Sequence, residues 1–78
     1  MYYVYAISSQ IKKFTYVGFT DNLKRRVFQH NSGYNKSTRA YAPFKLIYYE
    51  KVETSEKARE REKFLKSGKG REYLETYK

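Results

Sequence analysis

The sequence predicts an α+β fold in which a three-stranded antiparallel sheet is flanked by helices, in the order β-β-α-β-α-α. Two observations carry this prediction. Three short runs rich in tyrosine, valine, isoleucine and phenylalanine have the composition of strands. Between and after them, apolar residues recur at spacings of three and four, the period of a helix. The chain has 78 residues, so we expect residues 1–78 to form a single domain.

The three predicted strands differ in their surroundings. Tyr2–Ile7 is an almost continuous apolar run, typical of a strand that is covered on both faces. The polar residues Ser8–Lys13 separate it from a second run, Phe14–Phe19, so these two runs predict an antiparallel hairpin. The third predicted strand is Phe44–Glu50, which follows a proline. The basic stretch at 34–42 lacks periodicity, and we expect a surface loop there.

Three helices are predicted from spacing and capping residues. The first covers Leu23–His30, with residues 20–22 as candidate N-caps. The second starts at Thr54 or Ser55 and runs to about Lys66, with a glycine at 68 or 70 ending it. The third is a short helix, Arg71–Tyr77, in which Leu74 and Tyr77 are expected to point inward.

The charge balance restricts the class of partner. Lysine and arginine number 17 against eight acidic residues, which leaves a net charge of +9. Such an excess favours a polyanion, with nucleic acid first and an anionic membrane surface second. Membrane binding requires an amphipathic helix with a broad Leu, Phe or Trp face, and the sequence has none. We therefore expect a nucleic-acid partner and no membrane.

The absence of cysteine excludes disulfides, thiolate zinc sites and a cysteine nucleophile. Small secreted domains usually carry disulfides, so their absence favours a reducing compartment. The N-terminal apolar run is too short for a membrane span and lacks the positive start of a signal peptide. These features predict a cytoplasmic protein.

Glu62 breaks the apolar pattern of the second long helix. With Ala58 and Leu65 it lies on the helix face that should pack on the sheet. A carboxylate at the edge of a core is costly unless it is paired or binds a metal ion. Taken alone, Glu62 is best explained by a salt bridge to a nearby arginine.

Four further residues have ordinary structural explanations when each is taken alone. Arg26 and His30 share a stripe of the first helix, while Tyr5 and Tyr16 lie on the two strands of the hairpin. Together with Glu62 they would place phenols, a cation, an imidazole and an acid on one side of a small sheet. Phosphodiester cleavage requires that set: a group that positions water, a cation over the phosphate and a metal ligand.

These residues stand in an order that resembles the GIY-YIG nuclease family. Tyr3-Val4-Tyr5 and Tyr16-Val17-Gly18 are similar to its two signature tripeptides, and Arg26, His30 and Glu62 follow at the family's spacing. The resemblance runs from residue 2 to about 72 and is closest to the small stand-alone branch. Two positions depart from the pattern: Tyr3 replaces a glycine, and Phe19 replaces a lysine found in DNA-repair members.

The resemblance implies hydrolysis of a DNA strand with one divalent cation, Mg²⁺ or Mn²⁺. Glu62 would be the metal ligand, and Arg26 would hold a non-bridging phosphate oxygen. Tyr5 or Tyr16 would position or deprotonate the attacking water, and His30 would assist or accept the proton. The choice between the two tyrosines stays open.

Basic and polar residues outside this set are expected to contact the phosphate backbone; they are Lys24, Arg25, Lys36, Thr38 and Arg39. No DNA-reading module is present, so target choice would come from DNA shape, oligomerisation or a protein partner. Two alternatives remain. One is a non-catalytic module that stacks single-stranded bases on its aromatic sheet, which leaves Glu62 unexplained. The other is a degenerate nuclease fold kept for protein contacts.

Overall fold

The computed structural model describes residues 1–78 and has the predicted element order. A short 3₁₀ helix, Arg39–Tyr41, precedes the third strand. The elements are β1 (Tyr2–Ser9), β2 (Thr15–Thr20), α1 (Leu23–Asn31), β3 (Phe44–Val52), α2 (Ser55–Leu65) and α3 (Gly68–Glu75). The α+β prediction is confirmed, with a three-stranded antiparallel sheet in the order β2-β1-β3.

The central strand β1 forms one core on each of its sides. Side chains alternate along a strand, so Val4 and Ala6 face α2 and α3, while Tyr5 and Ile7 face α1. All four residues are buried, which confirms the prediction of a strand covered on both faces. We call these the α2–α3 side and the α1 side of the sheet.

The first two helices begin where their capping residues predict. The Asn22 side chain accepts a hydrogen bond from the Arg25 backbone N–H at the start of α1, and Thr54 does the same for Lys57 at the start of α2. On α2, Ala58 and Leu65 are fully buried against the sheet, as their spacing predicts.

The C-terminal part differs from the prediction. Instead of ending α2, Gly68 and Gly70 lie within α3, because the Ser67 hydroxyl caps a new helix by accepting from the Gly70 N–H at 3.3 Å. Leu74 is buried as predicted. Tyr77 is not: it lies beyond the end of α3 and its side chain is 44% exposed.

Only part of the segment 34–42 forms the surface loop that the sequence predicts. Thr38 is fully buried beneath it, and the 3₁₀ helix follows directly. The burial of Thr38 is explained by its hydrogen bonds, which belong to the candidate site.

Candidate active site

A buried hydrogen-bonded chain links Tyr5, His30 and Thr38 across three elements. The Tyr5 hydroxyl lies 2.9 Å from His30 Nε2, and His30 Nδ1 lies 3.0 Å from Thr38 Oγ1. Thr38 Oγ1 in turn donates its proton to the Asn35 carbonyl at 3.4 Å, so it accepts from His30. His30 therefore carries its proton on Nδ1, and Tyr5 donates to Nε2.

Glycine on the neighbouring strand makes room for these side chains. Gly18 pairs with Tyr5 across the β1–β2 ladder. A Cβ at this position would lie 2.9 Å from the Tyr5 hydroxyl oxygen and 3.0 Å from Cε2 of Tyr16. The two tyrosine rings thus lie directly over the bare backbone of β2.

Tyr16 stands beside the buried chain and is not part of it. Its ring centroid lies 4.9 Å from that of His30 and 6.4 Å from that of Tyr5. Tyr16 is half-buried, and its hydroxyl makes no hydrogen bond within the protein. Of the two tyrosines, Tyr16 is therefore the one whose hydroxyl is available to a bound molecule.

Arg26 supplies the positive charge of the site. It is half-buried on α1, where its guanidinium donates to the Gln29 side-chain oxygen at 3.1 Å. Burial, and then the Arg26 charge, lower the pKa of His30 to about 4, so the imidazole is neutral at pH 7. Burial raises the pKa of Tyr5 to about 12, and the nearby Arg26 guanidinium opposes that rise.

Glu62 approaches the same place from α2. Its side chain is 23% exposed and pairs with Lys66 Nζ at 3.4 Å. Its partner Lys66 also lies over the Tyr16 ring, which brings the carboxylate toward the tyrosines of β2. The bridge predicted with an arginine is thus made with a lysine, four residues further along the helix.

Lys66 was not among the predicted site residues, although the Glu62–Lys66 spacing of four is the one that forms helix ion pairs. Its ammonium also lies 6.0 Å from the centre of the Tyr16 ring. The structure therefore brings the five predicted residues Tyr5, Tyr16, Arg26, His30 and Glu62 together with a second cation at the edge of β2.

The comparison with known proteins agrees with this geometry. A family model described as the GIY-YIG catalytic domain matches residues 1–78. The chain belongs to the GIY-YIG family. It therefore has a nuclease fold, and DNA is the substrate that a GIY-YIG nuclease domain implies. No solved structure matches the chain.

Relatives of this GIY-YIG protein are themselves small. A UPF0213 protein of Clostridium perfringens is 39% identical over 67 residues, which are 85% of this chain and 71% of the relative. One of Pediococcus acidilactici is 42% identical over 66 residues, 81% of this chain and 67% of the relative. One of Natronomonas pharaonis is 36% identical over 67 residues, which are 85% of this chain and 78% of the relative. These relatives place the chain in the small stand-alone branch of the family.

GIY-YIG nucleases generally depend on a divalent metal ion, and the donor set of this chain restricts which one would fit. No three histidine, cysteine or acidic side chains cluster anywhere in the structure. Both nitrogens of His30 are already hydrogen-bonded, so among the five predicted residues only the Glu62 carboxylate could serve as a ligand. A zinc site needs three or four protein ligands, whereas Mg²⁺ keeps several waters and is held by one or two carboxylates. The site fits Mg²⁺ or Mn²⁺.

The basic residues predicted to contact DNA divide into two groups. Lys24, Arg25, Lys36 and Arg39 are exposed, and Arg25 makes only a solvated 3.6 Å ion pair with Asp21. Thr38 is the exception, because its side chain is fully buried and engaged with His30. The prediction that Thr38 contacts phosphate from a surface loop is wrong.

None of the α-helices has the length and apolar character that a membrane-spanning helix requires.

Proposed function

We propose that this protein is a divalent-metal-dependent endonuclease that hydrolyses phosphodiester bonds in DNA. One observation carries the proposal: a half-buried arginine, an unpaired tyrosine hydroxyl and a lone carboxylate meet around the buried Tyr5–His30 pair. An ion-pair network kept only for stability would not need the tyrosine hydroxyls over Gly18.

Arg26 binds the phosphate. Its guanidinium is planar and permanently charged, and it donates two parallel hydrogen bonds to non-bridging oxygens. The hydrogen bond from its Nη1 to Gln29 holds the guanidinium in place and leaves its other N–H groups for a ligand. Charge that develops on the phosphate is thereby stabilised at a partly buried position, where electrostatic interactions are stronger than in water.

Tyr16 orients the attacking water. Its hydroxyl is free, its ring is held against His30, and the Lys66 ammonium lies over that ring. Tyr5 has a different role, since its hydroxyl is committed to His30 and its residue surface is almost entirely covered. The Tyr5–His30–Thr38 chain is a support that holds the imidazole, and hence Tyr16, in place.

Glu62 holds the metal ion, which when bound would stabilise the leaving oxygen and the charge on the phosphate. Its present partner Lys66 is half-exposed on a flexible side chain, so the ion pair can open when a cation of higher charge arrives.

Target choice is directed by DNA structure and not by base sequence. Lys24, Arg25, Lys36 and Arg39 offer exposed charges for the backbone, and such contacts carry no sequence information. The net charge of +9 strengthens them, and affinity is expected to fall steeply with salt. A protein partner would supply any further selectivity, and a cytoplasmic location is part of the same proposal.

The competing function, a module that stacks bases across its sheet, is less well supported. Such a module needs an open aromatic sheet face. Here α1 covers Tyr5 and Tyr16 on one side, and α2 with α3 covers the other side. The end of the sheet next to Tyr3 and Tyr49 is open to solvent.

The decisive experiment is cleavage of labelled flapped and branched DNA with Mg²⁺ or Mn²⁺, comparing wild type, Glu62→Gln and Glu60→Gln. Glu60 is an exposed acid on the same helix and serves as the matched control. We expect metal-dependent nicking by wild type and Glu60→Gln, and a rate at least about a hundredfold lower for Glu62→Gln with DNA binding retained. Equal rates for all three proteins, or no cleavage of any substrate, would contradict the proposal.

A further inference from the structure

A surface cavity of about 560 Å³ lies between α1 and the strands β1 and β3, outside the residues assigned to catalysis. Its walls include the rings of Tyr3 and Tyr49, and its floor is apolar, formed by Leu23, Val27 and Leu46. Lys24 lies at its rim. The cavity is open to solvent and lies on the α1 side of the sheet.

The aromatic wall exists because this chain departs from the family signature. Tyr3 stands where the first signature tripeptide has glycine, and glycine would leave that side of the cavity without a ring. The Tyr3 and Tyr49 ring centroids are 6.2 Å apart with planes inclined by 59°. Tyr49 is 55% exposed although it is a large aromatic residue, so its ring is available for contact.

The charges around the cavity suit an anionic strand. Lys51 Nζ lies 5.8 Å from the centre of the Tyr3 ring, and Lys24 is part of the cavity lining. The one acid of the lining, Asp21, is partly neutralised by Arg25 at 3.6 Å. An apolar, aromatic lining with lysines beside it matches a ligand that has a flat aromatic part and a neighbouring phosphate.

The position of the cavity relates it to the catalytic residues. Tyr3 and Tyr5 are two residues apart on β1, so their side chains leave the same side of the strand roughly 6.6 Å apart. On α1, Val27 of the cavity lining is the residue that follows Arg26. A nucleic-acid strand whose phosphate is held by Arg26 would therefore pass close to the Tyr3–Tyr49 cavity.

We propose that the Tyr3–Tyr49 cavity binds an unpaired nucleobase of the DNA substrate by stacking it on one tyrosine ring and packing it against the other, inclined ring. This inference rests on the proposed nuclease function and specifies its substrate class. Bases inside a duplex are already stacked on both faces and cannot enter, whereas a flap, branch or single-stranded end presents free bases. The cavity thus selects DNA with unpaired nucleotides next to the bond that is cut.

The test measures binding without metal, so that it does not depend on cleavage. Single-stranded and duplex oligonucleotides of one sequence, with 2-aminopurine replacing one adenine, are titrated into wild type, Tyr3→Leu, Tyr49→Leu and Tyr77→Leu at fixed salt. Leucine keeps an apolar side chain but removes the ring. Tyr77 is an exposed tyrosine beyond α3 and serves as the control.

We expect Tyr3→Leu and Tyr49→Leu each to weaken single-strand binding roughly 5- to 150-fold, the range for loss of one base–aromatic stack. The affinity for duplex DNA should be unchanged in these variants, and Tyr77→Leu should bind single strands as wild type does. Quenching of 2-aminopurine fluorescence should disappear when either ring is removed. Unchanged single-strand affinity in Tyr49→Leu, whose exposed side chain is not needed for folding, would overturn the proposal. Equal weakening of single-strand and duplex binding would also overturn it.

The two proposals can fail separately. If Glu62→Gln cuts as fast as wild type while stacking depends on Tyr3 and Tyr49, the nuclease mechanism is wrong and the cavity assignment stands. If cleavage requires Glu62 but neither tyrosine affects single-strand binding, the cavity assignment is wrong. In that case an apolar side chain of a protein partner becomes the occupant to test.

Discussion

The two sides of the sheet are built from different kinds of buried residue. On the α2–α3 side the fully packed side chains are aliphatic; they are Val4, Ala6, Val17, Ala58, Leu65 and Leu74. On the α1 side the buried set includes Tyr5, His30 and Thr38, joined by hydrogen bonds. Burying polar groups costs free energy unless each one is paired, so the stability of the α1 side depends on keeping these hydrogen bonds as well as on packing.

Each side also contains one buried glycine, and the two glycines have different neighbours. A Cβ on Gly70, in α3, would overlap the carbonyl oxygen of Phe64 and Cα of Leu65, which are backbone atoms of α2 and its C-terminus. A Cβ on Gly18 would meet the ends of two tyrosine side chains instead. Backbone cannot move aside cheaply, whereas side chains can rotate. The comparison predicts that changes on one side reduce stability and changes on the other reduce activity.

Gly70→Ala should have the largest effect on stability. The added methyl group forces α3 away from α2 and opens the core around Leu65 and Leu74, so the free energy of unfolding should fall by about 3 kcal/mol or more. Urea denaturation followed by circular dichroism measures this loss. Gly68→Ala is the matched control, because a Cβ there meets nothing within 4 Å and alanine favours a helix. Equal stability of the two variants would refute the close-packing argument.

Lowering the pH should reduce the free energy of unfolding through His30, on the α1 side. Folding lowers the pKa of His30 from 6.5 to about 4, so the unfolded chain binds a proton in this range that the folded chain does not. The resulting stability is fully present above pH 6.5 and is lost as the pH falls toward 4. At ~1.4 kcal/mol per pH unit, the loss reaches up to about 3 kcal/mol.

Chemical denaturation at a series of pH values between 7 and 4 measures this slope. His30 is the only histidine of the chain, so His30→Gln should remove its part of the slope and leave that of the carboxylates. A variant with the same pH dependence as wild type would show that another group titrates. Both causes of the lowered pKa, the burial of His30 and the charge of Arg26, lie on the α1 side.

The elements of this fold were predictable because their signals are local. Strand β1 shows an unbroken apolar run, and Asn22 and Thr54 cap helices within three residues of themselves. The strand and cap predictions need only neighbours in sequence. Arg26 and Glu62 were predicted as site residues from their spacing within a family signature, and their roles stay a prediction.

The features that were missed depend on contacts distant in sequence. The role of Thr38 is decided by His30, and that of Gly70 by how closely α3 approaches α2. In the sequence, Thr38 stands among lysine, serine and arginine and has the composition of a loop. Gly70 has the composition of a helix terminator. Tyr77 follows the helical period, but α3 ends two residues earlier and the ring stays exposed.

Gly18→Ala should have the smallest effect on stability and a large one on catalysis. The new methyl group meets the Tyr5 hydroxyl oxygen at 2.9 Å and Cε2 of Tyr16 at 3.0 Å, both on side chains that can shift by a few tenths of an ångström. We expect about 1 kcal/mol of lost stability, at the low end for added bulk in a packed site. On the proposed mechanism, a displaced Tyr16 would no longer hold the attacking water in line, and misplacement of this kind costs about a hundredfold in rate. Nicking of flapped DNA under single-turnover conditions, with the folded fraction verified at the same temperature, separates the two effects. Gly18→Ala could instead lose as much stability as Gly70→Ala and cut DNA at the wild-type rate per folded molecule. That result would contradict the assignment of stability to the α2–α3 side and activity to the α1 side.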